Sequence, residues 1–164
     1  MLSIINNTDK EKLIEKYKNI VFDDYYEYIS SLNMGERNFA DANNENNIEF
    51  ISKKGSDIIG YFFARIDVYN PKIAHISNCF NLEKKEKVTF GNDLKHFINL
   101  LKKYGVEKLE WAVWEGNPAK KIYDKIKGVR YVGYFSNAVI HRGKEINLHL
   151  YELFLIQQVT NGEQ

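Results

Sequence analysis

Trp114-Glu115-Gly116-Asn117-Pro118-Ala119-Lys120-Lys121-Ile122-Tyr123-Asp124-Lys125-Ile126-Lys127-Gly128-Val129 is the stretch on which the fold turns. It begins at the end of a strand, Glu107 to Trp114. There Leu109, Trp111 and Val113 take one face, and Glu110, Ala112 and Trp114 take the other. Gly116-Asn117-Pro118 is a turn that leads into a short helix, with Pro118 near its first turn. Two strands follow, Arg130 to Ile140 and Glu145 to Phe154, joined as a hairpin by His141-Arg142-Gly143-Lys144.

Upstream, Leu94, Phe97, Ile98 and Leu101 recur at helical spacing. Asn92 or Asp93 is placed to cap that helix, and Gly105 to stop it. Before it the period is that of strands. Ile48 to Lys53, Ile58 to Tyr69 and Ile73 to Phe80 are separated by turns at Lys54-Gly55-Ser56-Asp57 and Asn70-Pro71-Lys72, which predicts an antiparallel meander. At the start, Leu2 to Ile5 reads as a strand. Thr8 and Glu11 have capping-box spacing for a helix from about Asp9. A second helix is expected from Asp23 to Leu32, then a polar loop over residues 33 to 47.

The bulk numbers fit one domain over residues 1–164, with 44% hydrophobic and 27% charged residues. A net charge of +1 gives no general field for nucleic acid or an anionic membrane. A single cysteine, Cys79, excludes a disulfide within the chain and points to a reducing compartment. With four scattered histidines it makes no zinc site, and no metal is expected. No segment approaches the ~20 apolar residues of a membrane span. The expected location is the cytoplasm.

Taken together, this order resembles the GNAT superfamily of N-acetyltransferases. Asn117, Ala119, the Ile122-Tyr123 pair and Gly128-Val129 stand where that family has Asn, Ala, a Leu-Tyr-like pair and Gly-Phe. The resemblance covers residues 48 to 154. It implies an α/β fold with one mixed sheet of about seven strands, a central splayed parallel pair and about four helices. Asn117 and Ala119 are one residue closer than is usual, and Lys127 is one extra, which leaves Tyr123 open by about 100° of helix rotation.

The resemblance also implies acetyl-CoA as acyl donor. Its diphosphate would meet the loop Glu86-Lys87-Val88-Thr89-Phe90-Gly91-Asn92, through backbone N–H groups and the helix N-terminus. Gly91 fits the second small position of the family's loop. Thr89 takes the place of its first Gly, and Glu86 that of its Arg or Gln, where a one-residue shift would put Lys87 instead. A carboxylate at Glu86 opposes a diphosphate, and so does Asp93 unless it faces away. Backbone around Phe80, Asn81 and Leu82 would hold the pantetheine arm, as an added strand would be held. Asn117, Ala119 and Tyr123 would complete the cofactor site.

For catalysis the resemblance makes Tyr123 the acid that protonates the leaving thiolate, the alternative being a packing role for its ring. An alkyl amine with a pKa near ~10.4 must lose a proton before it can attack. Glu110 is the preferred base, ahead of His75 and Glu83. Tyr25, Tyr26, Glu27 and Tyr134 would line an acceptor site between the first two helices and the hairpin. The acceptor would be a small amine or a peptide; a homodimer is left open. The competing reading is a GNAT-shaped binding or regulatory protein without turnover, in which coenzyme A binding is weak or lost.

Overall fold

The computed structural model describes residues 1–20 and 45–156. One seven-stranded sheet runs through the described residues: β1 (Leu2–Ile4), β2 (Asn47–Lys54), β3 (Asp57–Ile66), β4 (Ile73–Asn81), β5 (Lys108–Trp114), β6 (Val129–His141) and β7 (Lys144–Phe154). Its spatial order is β1-β2-β3-β4-β5-β7-β6. Three helices join it: α1 (Asn7–Ile20), α2 (Lys87–Lys103) and α3 (Pro118–Tyr123). The mixed α/β sheet expected from the sequence is the observed one. The expected helix Asp23 to Leu32 lies outside the described residues.

β1 to β4 form the antiparallel meander. The crossover through α2 then sets β5 parallel to β4, and the hairpin returns with β7 inside and β6 at the edge. That hairpin closes on two residues with positive φ, Arg142 (φ 49°) and Gly143 (φ 75°), with His141 opposite Lys144. Two left-handed residues match the twist of the strands they join.

Each sheet face carries its own core. Leu13 and Tyr17 of α1 pack on Ile51, Tyr61, Phe63, Phe80 and Leu82. On the other face, Phe97 and Leu101 of α2 pack on Phe50, Phe62, Ala64, Ala74 and Leu109. Leu109 and Val113 are buried, as the alternation along β5 predicts.

Two helix starts differ from expectation. The N-cap of α1 is Asn6, whose side-chain oxygen accepts the Asp9 N–H at 2.8 Å. Thr8 is already helical. More consequentially, α2 begins at Lys87, after a 3-10 turn at Lys84–Glu86, and not at Asn92 or Asp93. The reason is packing. Phe90 extends the apolar stripe back by one turn and stacks on Phe62, with ring centroids 4.9 Å apart. Asp93 lies on the same buried side, against the Ser52 hydroxyl, with the Met1 ammonium at 3.2 Å. A polar residue that reads as a cap is a buried anchor of α2.

Gly60 makes this packing fit. A Cβ there would lie 2.5 Å from the Phe90 ring. Gly60→Ala is expected to destabilise the protein by about 1–3 kcal/mol, the usual cost of overpacking, measured by urea unfolding. Gly91→Ala, where a Cβ meets no atom within 4 Å, is the control.

Candidate active site

The feature that makes a site is the end of the parallel pairing. β4 and β5 pair at four positions, Ile73 with Lys108 through Ile76 with Trp111. Beyond that, β4 continues to Asn81 and β5 to Trp114 without pairing to each other. Each is still held on its outer side. Asn78, Cys79, Phe80 and Asn81 pair with β3, and Ala112, Val113 and Trp114 pair with β7. The register on β3 jumps from Ile76 to Asn78, so Ser77 is an extra residue, a β-bulge, at the point where the strands separate. The result is a fork whose two inner edges expose backbone groups that no strand takes. A ligand with amide groups can pair there as a strand would.

The start of α2 lies beside the fork, after the connection from Asn81. Its N-cap residue, Glu86, makes no side-chain cap hydrogen bond. Helix termini leave their first N–H groups without partners inside the helix, and the dipole favours an anion there. Lys87, Val88 and Thr89 occupy that turn. Gly91 and Asn92 lie in the second turn, where the N–H groups belong to the helical ladder. Gly91 leaves the flank open to close approach.

Of the two carboxylates that oppose an anion, Asp93 is turned away and Glu86, at the N-cap, is paired in place. Glu86 pairs with Lys54 of β2 and accepts the Thr89 hydroxyl at 3.0 Å. Lys54 first, and then Thr89, hold its carboxyl below the usual range, so it stays ionised and locally compensated. Asp93 faces the sheet, where it is 5% exposed.

Tyr123 resolves the open helix rotation. Its ring faces inward, 5.3 Å from Trp111 and 5.7 Å from Tyr151, while Ile122 points to solvent at 60% exposure. Asn117 caps α3 by accepting the Ala119 N–H at 2.9 Å, so these two residues shape the helix start. Burial raises the Tyr123 phenol, with Cys79 and Tyr151 close enough to add to the effect. The phenol therefore stays protonated and can donate. Burial also pushes the Cys79 thiol up to about 12, which makes it a poor nucleophile. The Trp111 Nε1 donor, at the last paired position, is buried without an acceptor among the described residues.

Other expected site residues are placed differently. The Phe80 ring is buried against Tyr17 and Tyr61, leaving only its backbone beside the fork. The Leu82 N–H is taken by the Ile59 carbonyl at 2.8 Å. Tyr134 lies against His149, with ring centroids 5.8 Å apart and the rings tilted, on the face that carries α3. The register shift between Tyr131 and Gly133 put it there, because an extra residue reverses the alternation. Tyr25, Tyr26 and Glu27 lie outside the described residues. Glu110 lies on the opposite sheet face to Trp111, one residue before the last paired position. It contacts Lys108, and His75 Nδ1 at 3.3 Å. His75 in turn meets Asp67 at 3.0 Å.

Sequence reasoning missed Tyr151 and Lys54. Both lie far along the chain from the residues they serve, and no local pattern marks them.

Solved structures share this architecture. The ribosomal-protein-S18-alanine N-acetyltransferase of Escherichia coli superposes with a TM-score of 0.76 at 15% identity, over 100% of this chain and 99% of that one. An N-acetyltransferase of Staphylococcus aureus Mu50 gives 0.73 at 15% identity, over 95% and 98%. A GCN5-related N-acetyltransferase of Kribbella flavida gives 0.72 at 15% identity, over 94% and 97%. The chain has the GNAT fold. No protein-family model matches its sequence, and no curated protein matches it either. The three alignments cover 94–100% of the chain, wider than the segment 48 to 154 that suggested the likeness.

If the start of α2 receives a diphosphate, the Lys54–Glu86 pair tunes it. Glu86→Gln is expected to tighten coenzyme A binding about twofold to fivefold, and Lys54→Met to weaken it as much, the scale of an exposed charge pair. Titration calorimetry at low salt checks this. Both effects should shrink at high salt.

Proposed function

We propose that this protein is an acetyl-CoA-dependent N-acyltransferase that moves an acetyl group to a primary amine, either a small molecule or a peptide. The observation that carries the reading is the fork: four paired positions, a bulge at Ser77, then two strands held apart by their outer neighbours. A sheet leaves backbone groups unpaired at its centre at a cost, which a ligand with amide groups offsets.

Bound acetyl-CoA supplies the acyl group as a thioester. The chain's own groups divide the remaining work. The first turn of α2, at Lys87, Val88 and Thr89, grips the diphosphate, with Gly91 allowing close approach. Backbone groups of β4 from Ser77 to Asn81 hold the amide-bearing arm. An N–H on the splayed edge is the natural partner for a carbonyl oxygen that gains negative charge. Glu110, oriented by His75 and Lys108, is the proposed base for the acceptor ammonium. Tyr123 carries the proton for the departing sulfur, and its raised phenol keeps that proton in place until it is needed.

Thr89 and Glu86, where GNAT proteins usually have Gly and Arg or Gln, favour a second reading: a protein of this shape that binds without turnover. The two readings part on a thermal-shift titration with acetyl-CoA. At ~100 times the dissociation constant, ligand adds about 2.7 kcal/mol of stability. Gly91→Glu is expected to abolish the shift and leave the unliganded melting temperature close to wild type, since its Cβ meets nothing. No shift with the wild type, or a shift without release of free thiol in the presence of amines, would select the second reading.

Tyr123→Phe is expected to lower kcat about 10²-fold, the low end of general acid–base contributions, with acetyl-CoA affinity changed less than twofold. Equal losses in both would assign Tyr123 to packing.

A further inference from the structure

Tyr151 of β7 is the residue most deeply built into the surroundings of α3. It is 1% exposed. Its ring stacks on Trp111 at 5.9 Å and packs on Tyr123 at 5.7 Å and Tyr131 at 5.4 Å. Its hydroxyl donates to Asp124 Oδ1 at 2.8 Å. The other oxygen of Asp124 accepts from Lys120 Nζ at 3.1 Å. Asp124 is the C-cap of α3 and directly follows Tyr123.

This arrangement answers a structural difficulty. α3 has six residues and buries none of them fully. A helix of that length has no stability of its own. Its N-terminal end is fixed by the Asn117 cap. At its C-terminal end, among the described residues, the Tyr151–Asp124 bond is the direct hydrogen bond from the sheet to the helix cap. A buried phenol that bonds outward to a half-exposed carboxylate, not to its own strand, acts as a tether.

We propose that Tyr151 is a positioning residue for Tyr123, holding the end of α3 through Asp124 so that the Tyr123 hydroxyl stays at the fork. The inference rests on the acyltransferase reading for its catalytic consequence and on the geometry alone for the tether. A displacement of the acid by even 1 Å is enough to cost a large factor in rate.

The test compares wild type with Tyr151→Phe, Asp124→Ala and the double variant, all as the full chain. Two measurements are made: amide hydrogen exchange over residues 118–124, and acetyl transfer from acetyl-CoA to a panel of primary amines. Exchange in α3 is expected to speed up about tenfold in all three variants, while α2 is unchanged. Each single variant is expected to lower kcat about tenfold, with KM for acetyl-CoA moved less than twofold. The double variant should be no worse than Asp124→Ala alone, since both changes remove the Tyr151–Asp124 bond and Asp124→Ala also releases Lys120. Unchanged exchange in α3, or losses that multiply in the double variant, would overturn the proposal. If the wild type acetylates no amine, the acyltransferase reading falls, and the exchange comparison by itself decides whether the tether exists.

Discussion

The parallel ladder between β4 and β5 stops after Ile76 and Trp111, and the site exists because it stops there. Two strands that leave a ladder would normally close again, since unpaired backbone groups cost free energy. Here two constraints keep them apart. Ser77 adds a residue to β4 and bends it. Beyond the bulge, β3 and β7 hold the separated strands from outside, so neither can swing back without breaking its own ladder. The groups around the fork follow from this. Trp111 marks the last paired position, Tyr123 packs on Trp111, and α2 begins where the chain leaves β4.

Charge around the start of α2 follows one rule: each carboxylate there is satisfied by the protein itself. Glu86 is met by Lys54 and Thr89, and Asp93 by Ser52 and the Met1 ammonium. Read as a string, the loop looks acidic and short of glycine. Folded, Asp93 is directed to the sheet, and Glu86 is paired with Lys54 of β2 and with Thr89 in the first turn. The same residues also stabilise α2, so tuning the loop would also strain the helix.

Much of the fold was legible because its signals are local. The stripe Leu94, Phe97, Leu101, the alternation along β5 and the Arg142-Gly143 turn each follow from neighbouring residues. Errors arose where a distant partner overrode the local sign. Asp93 reads as a helix cap until Ser52 of β2 claims it. Phe90 reads as loop until Phe62 and Gly60 provide its seat. The bulge at Val132, which sets the face of Tyr134 by reversing a period of two, is announced by no sequence pattern.

The sequence by itself determined the order of strands and helices among the described residues and the resemblance of residues 114 to 129 to an acetyltransferase segment, because periodicity and turn chemistry act over a few residues. The tertiary structure alone decided where the fork opens, which way Tyr123 faces and which cations answer Glu86. Those depend on register and on contacts between residues tens of positions apart, and such contacts form only once the sheet is assembled.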